Sequence, residues 1–327
     1  MYLVPERVPW DAIANAWERA ENSLARLDQS LAMSGLGDAW RLRADLAEAA
    51  ASAWLDGAAV ALEDLVLHDA DTAVSLPTPA LFKARAVLLA RRALYRRAPD
   101  DVLSVGGIAA LHRRRRRHAG EATANDDAID DEGAPDGEDE REAADRIAAW
   151  LRLLAALKPL PALPAAAIAF QAWSADPPVR RGGGALGRLL IPVALRARGA
   201  TRHHALALAT GLQKAWPRPR RGAPFDETIA ALLEAIALAA AQGLEVHQRL
   251  ERAKTALARP LAGRRSSSRL AALAALALRY PVISAPMAAR HLGLSLRGAT
   301  LLIDELARAG CIAERTGRSR YRAFSVV

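Results

Sequence analysis

The chain has 327 residues, of which 52% are hydrophobic and 5% aromatic, a balance that excludes a disordered or fibrous protein and, with few strand-favouring residues, points to an all-α fold. One cysteine, Cys311, excludes an intramolecular disulfide and a thiol-rich metal site, and suits a reducing cytoplasm. The formal charge is +9 and rests on arginine, since lysine occurs only at 83, 158, 214 and 254; +8 of it falls between Arg264 and Val327.

The opening "MYLVPERVPW" has two prolines and a glutamate where a signal peptide needs an apolar run. The apolar stretch "LRLLAALKPLPALPAAAIAF" is broken by Lys158 and by Pro159, Pro161 and Pro164, so no membrane partner is expected. "WDAIANAWERAENSLARLDQSLAMS" carries Ile13, Trp17, Leu24, Leu27 and Leu31 near helical spacing. "WRLRADLAEAAASAWLDGAAVALEDLVLHD" extends the pattern as one or two helices. "LPTP" breaks it at Pro77 and Pro79, with Thr78 placed to cap the helix that follows.

From Glu121 to Glu142, eleven acidic residues face a single arginine with no aromatic residue. This composition predicts a disordered acidic loop over about 119–143, with the preceding Arg113–Arg117 block as its electrostatic partner. Helical pattern resumes at "ADRIAAWLRLLAAL" and "PALPAAAIAFQAW". Then comes "DPPVRRGGGALGRLLIP", three glycines ahead of an apolar helical run. A glycine-rich loop opening a helix can cradle an anion with backbone N–H groups. Without a P-loop lysine or a strand–turn–helix context it can equally be a tolerated turn. "TRHHALALATGLQKAW" reads as a helix begun by His203-His204, surface residues too close in sequence to chelate a metal. "PRPRRGAP" is a loop, "FDETIAALLEAIALAAAQGLEVHQRLERAKTALARPL" one or two long helices, and "AGRRSSSR" a linker.

The last segment has a different grammar. "SSRLAALAALALRYP" is a helix ended by Pro281, and "SAPMAARHLG" a short helix with Ser284 as cap and Gly293 at its end. "LSLRGATLLIDELARAG" starts at the cap Ser295, with Ala299, Leu302, Ile303 and Leu306 on its inner stripe. "CIAERTGRSRYRAFSVV" reads as two short strands around Thr316-Gly317-Arg318-Ser319. Three helices followed by a basic hairpin is the order of a winged helix-turn-helix over 264–327. Its second motif helix would present Leu296, Arg297, Gly298, Thr300 and Leu301 to base edges, with Arg297 on guanine. Ser295 and Thr300 join Arg297 as candidate contacts. Arg315, Arg318, Arg320 and Arg322 are placed for phosphates or the minor groove. The partner read here is double-stranded DNA. A helical protein-interaction module on the same scaffold is the alternative.

The glycines gain meaning from their surroundings. "GRLLIP" at Gly187–Pro192, after the glycines and after "AAWL" and "LPALPAAAIAFQAW", resembles the core of the Fic family, from about Ala49 to Ala253. That resemblance implies a helical domain, here over 1–262, that transfers AMP from ATP to protein hydroxyls through H-x-F-x-(D/E)-G-N-G-R-x-x-R, and Fic proteins often carry a C-terminal winged helix. In register, the family's histidine base falls on Pro177, its phenylalanine on Val179, its metal-binding acid on Arg181 and its first arginine on Ala185. Proline cannot take a proton and arginine repels Mg²⁺. What remains is Gly182-Gly183-Gly184 in place of G-N-G, and Arg188, a candidate nucleotide or anion site with no catalytic residue, metal or cofactor. "SAWLDG" (52–57) resembles the family's inhibitory motif, with Asp56 one methylene shorter than the family's glutamate and Arg188 as the residue it would reach.

Other constellations are weak. His68 beside Asp69 and Asp71 suits either a metal site or a helix end, and the seven tryptophans are expected to anchor the core. The expectation is therefore a cytoplasmic, all-α, DNA-binding regulator with a degenerate Fic-like domain, able to pair as a homodimer through that domain and to sense a ligand or protein partner. A divergent nucleotidyl or AMP transferase and a pseudoenzyme acting on a protein partner are the competing readings.

Overall fold

In the computed structural model, residues 2, 5, 7–73, 76–120, 137–179, 182–215, 223–263, 268–317 and 322–327 are described. Helices dominate: α1 Trp10–Ser34, α2 Gly37–Leu55, α3 Leu62–Asp69, α4 Pro79–Leu94, α5 Pro99–Val102, α6 Val105–Gly120, α7 Gly137–Ala156, α8 Ala162–Ala175, α9 Gly183–Ala197, α10 Leu208–Lys214, α11 Phe225–Ala258, α12 Arg269–Arg279, α13 Ala285–Leu292 and α14 Leu296–Arg308. Two strands, β1 Ile312–Glu314 and β2 Phe324–Val326, close the chain.

The long amphipathic helices α1 and α11 pack along each other, and α11 also holds α2, α8 and α10. By length and composition α11 and the turn after it could cross a bilayer. Its apolar residues Ile229, Leu233, Ile236 and Ala240 are instead buried in the core. At the centre lies α9, in which every residue from Ala185 to Leu195 is buried. Thr78 caps α4 as its position predicts, accepting from the Leu81 N–H at 3.2 Å. Trp40, Trp150 and Trp173 are buried anchors, whereas Trp10 and Trp54 lie at the surface, so the expectation of seven core tryptophans holds only in part.

A charged network runs through this core. The buried Arg91 donates to Asp45 Oδ1 at 2.7 Å and to the carbonyls of Ala205 and Leu206 at 2.7 and 3.0 Å. Glu48 accepts from the Ala209 N–H at 2.8 Å, and burial pushes the carboxyls of Asp45 and Glu48 upward. Pairing offsets only part of what desolvation removes, and the network ties 205–209 to α2 and α4.

Three expectations are corrected. Residues 137–143, assigned to the acidic loop, form the first turns of α7, and 119–120 end α6. Acidic side chains favour a helix N-terminus, and Glu142 pairs with Arg146 one turn on at 3.6 Å. Residues 121–136 lie outside the described residues. The paired histidines do not begin a helix: 201–207 is irregular and α10 starts at Leu208. His204 is buried rather than exposed. Its Nδ1 lies 2.9 Å from Asp28 Oδ1 and its ring stands edge-on to Trp40 at 5.5 Å.

A second core gathers Leu270, Leu273, Ala277, Ala288, Ile303, Leu306, Ile312 and Phe324. Leu257 of α11 joins it, and the buried Cys311 thiol lies 3.4 Å from the Ala256 carbonyl. β1 and β2 pair antiparallel with Ala313 opposite Ser325, and Ile283 adds a bridge to Phe324. Arg43 of α2 joins the two cores, donating to the carbonyls of Leu278, Arg279 and Tyr280 at 3.0–3.2 Å.

Candidate nucleic-acid interface and glycine loop

Only one of the three glycines precedes the helix. Gly182 is the N-cap of α9 in the left-handed region at φ 70°, while Gly183 and Gly184 form its first turn. A side chain at 182 would overlap the guanidinium of Arg115, which reaches over from α6. The Gly183 carbonyl accepts from Trp173 Nε1 at 2.7 Å. Gly187, one turn on, lies flat against the Trp173 ring with no room for a Cβ. Part of the glycine pattern is therefore packing against one tryptophan.

Arg188 comes together with the glycines, as its spacing predicts, and is buried. Its Nε donates to Ser52 Oγ at 2.8 Å, and its Nη2 to the Ser52 carbonyl at 3.0 Å and Asp56 Oδ1 at 2.6 Å. The shorter aspartate does reach the arginine, because it sits at the very end of α2, where the helix points it at α9. Arg115 completes the cluster. Burial lowers its pKa, and so does nearby Arg188, while Asp56 pulls the other way. Two arginines thus share one carboxylate. The donor set does not fit Mg²⁺, since Asp56 is engaged by Arg188, and among the described residues no three His, Cys, Asp or Glu side chains gather to hold a metal ion. His68 lies in the last turn of α3, and its neighbour Asp69 is held by both terminal nitrogens of Arg92 at 2.7 Å.

The second cluster is built on α13 and α14. Ser284 caps α13 by accepting from the Met287 N–H at 3.4 Å, and Gly293 ends it at φ 61°. Ser295 caps α14, accepting from the Gly298 N–H at 3.1 Å. Ala299, Ile303 and Leu306 hold α14 in the second core, which turns Leu296, Arg297, Thr300 and Leu301 to the surface. The exposed Thr300 donates its hydroxyl back to the Leu296 carbonyl at 2.9 Å, and its oxygen remains free to accept. Arg315 is exposed but braced, its Nε donating to Ser325 Oγ at 2.7 Å. Arg322 stacks over the Phe324 ring at 4.8 Å. Glu314 turns back onto the N–H groups of Thr316 and Gly317 at 2.7 and 2.9 Å. Burial would raise this carboxyl, but the bonds from Thr316 and Gly317 outweigh it and lower it. Arg318 and Arg320 lie outside the described residues.

Ser295, Arg297, Thr300, Arg315 and Arg322 therefore share one domain, while Gly182–Gly184 and Arg188 form a separate cluster on α9. Sequence reasoning missed Arg115, which belonged to a block read as the electrostatic partner of the acidic loop. The one available signal was that position 115 lies four residues after Leu111, which α6 buries.

Comparison with known proteins gives two matched stretches of the chain. Residues 137–262 match the family described as "Protein of unknown function (DUF1612)", and residues 270–327 match "HTH DNA binding domain". The uncharacterized protein y4cF of Sinorhizobium fredii is 32% identical over 362 residues, spanning 92% of this chain and 93% of its own length. A Fic family protein from Desulfovibrio desulfuricans has the same fold at 16% identity, with a TM-score of 0.53 over 99% of this chain and 98% of that one. The chain belongs to the family of y4cF, and it joins a Fic-like helical fold to a C-terminal helix-turn-helix DNA-binding domain.

Proposed function

We propose that the protein is a cytoplasmic, sequence-specific regulator of transcription that binds double-stranded DNA through a winged helix-turn-helix at 264–327. Residues 1–262 form a Fic-like domain without transferase activity. The observation that carries the reading is the Ser295-capped helix α14, packed on one side and presenting Arg297 and Thr300 on the other. Arg297 takes guanine by a bidentate bond. Arg315, Arg318, Arg320 and Arg322 track the phosphates or enter the minor groove. A homodimer joined by the helical domain would place two such helices on a two-fold site.

The lost transferase activity is supported by Pro177, Arg181 and Ala185 at the positions of the family base, metal acid and phosphate arginine. Arg188 is held by Ser52 and Asp56, which leaves it braced rather than open to a nucleotide. Whatever ligand or protein partner the helical domain senses would have to compete with Asp56 to engage Arg188.

Selection from a random duplex pool by the full-length chain, at two salt concentrations and with Arg297→Ala, tests this. A defined motif that blurs in the variant is expected. Uniform binding that vanishes with salt would reduce the interface to phosphate attraction. Labelling of target proteins with ATP is expected to give no transfer, and metal-dependent transfer lost in Arg188→Ala would overturn the inactive assignment.

A further inference from the structure

Two large apolar side chains on α14 are exposed without serving its core: Leu296 at 57% and Leu301 at 58%. They belong to a pattern. At 100° per residue, Leu296, Thr300, Arg297 and Leu301 fall in that order across an arc of about 140°, which begins at Leu296 beside the buried Ile303 and turns away from the stripe of Ala299, Ile303 and Leu306. The middle of the arc holds the exposed Arg297 and Thr300; its two edges are leucine. Asp304, half-buried, follows one turn further along. An apolar pair costs affinity for water but not for the thymine C5-methyl, the apolar group that the major groove displays. The surroundings favour DNA as the occupant over a second copy of the chain, since the domain carries +8 of the protein's +9 charge and a copy would bring the same sign against itself.

We infer that Leu296 and Leu301 are thymine-methyl readers, with Leu301 acting beside the guanine that Arg297 takes. This rests on the base-reading role of α14 proposed above. Arg297 and Leu301 stand four residues apart, about 6 Å along the helix, which is one to two base steps at 3.4 Å each. The recognised half-site therefore contains a guanine and, one or two steps away on either strand, a thymine whose methyl packs on Leu301. Leu296, in the first turn, covers a second methyl on the other side of the guanine.

The test uses the full-length chain and the motif it selects. Each thymine in the half-site is replaced singly by uracil, which removes the methyl and nothing else. Affinity is expected to fall about four-fold at the thymine beside the guanine, the effect of one buried methyl. Leu301→Ala should bind the thymine and uracil duplexes equally, and Leu296→Ala should lose sensitivity only at its own position. Replacing that thymine–adenine pair by 5-methylcytosine–guanine should bind more tightly than the unmethylated cytosine–guanine pair by a similar factor. Equal binding of thymine and uracil by the unaltered protein would overturn the inference while leaving base reading by Arg297 in place. So would a selected motif with no thymine within two steps of its guanine. Absence of any sequence preference would overturn both. The uracil comparison needs no variant, so folding of the substituted chains does not bear on it.

Discussion

Asp56 shows what one carboxylate can decide. It is a third exposed, yet it is the counter-charge of an arginine that is 3% exposed and lies beside a second guanidinium, that of Arg115. Asp56→Ala is expected to lower stability by about 2 kcal/mol in urea unfolding, since it strips a charged hydrogen bond from a buried cation. Asp56→Glu should restore most of it. A second carboxylate sets the acid limit. Burial would raise Asp28, but the His204 ring and the N–H groups of His203 and Arg202 outweigh it and bring it down to about 2. A carboxyl held below its unfolded value stabilises the fold above about pH 4, and that contribution is lost as pH falls from 4 towards 2. Burial also depresses His204 below the ordinary imidazole value, ahead of the opposing pull of Asp28. Stability from a neutral His204 is present at pH 7 and declines as pH drops below about 6.5. Unfolding curves at several pH values should show both declines, and Asp28→Asn should flatten the lower one.

At the scale of elements, the chain is legible where periodicity and caps act locally. Thr78, Ser284, Gly293 and Ser295 are where a reader of the sequence would put them, because capping needs only residues within one turn. The long pairing of α1 with α11 follows from their apolar stripes. Legibility fails where the partner is distant. His203 and His204 look alike in sequence, and only Asp28, 176 positions away, selects His204 for burial. The acidic residues of 137–143 match the composition of the stretch before them, yet continue into the apolar turns of α7. The glycine stretch is a mixed case. Its "GRLLIP" tail resembles a catalytic family, but Gly187 is needed because Trp173 leaves no room for a Cβ. Gly187→Ala should therefore destabilise by roughly 1–3 kcal/mol through overpacking, measured as a lower unfolding midpoint, with no change in DNA binding of the folded fraction. In the same core, Asp45→Ala should cost about 3 kcal/mol or more, because Arg91 would keep its charge with its closest carboxylate gone.

Across the whole molecule, α12 meets both α2 and α11, and several groups join the two cores. Arg43 is the strongest of them. Its guanidinium closes the end of α12 by bonding the last two carbonyls of the helix and that of the cap residue Tyr280, and also bonds Ala39 in its own helix at 2.9 Å. Burial among carbonyls brings it down to about 10, so it remains charged at neutral pH. Arg279 adds a looser contact to Asp38 at 3.6 Å. Arg43→Ala is expected to raise amide exchange at 278–282 and to split a single unfolding transition into two, while Arg41→Ala, on the neighbouring surface, should do neither.

Cys311 turns this junction into a clock. It is the chain's single thiol, its side chain is sealed between the Ala256 carbonyl and the start of the hairpin, and burial raises its pKa. A disulfide reagent can meet it only when the second core opens, so the rate of labelling in native buffer counts those openings with no probe attached. Arg43→Ala should quicken the tick, and a DNA duplex clamped across α14 and the hairpin should slow it.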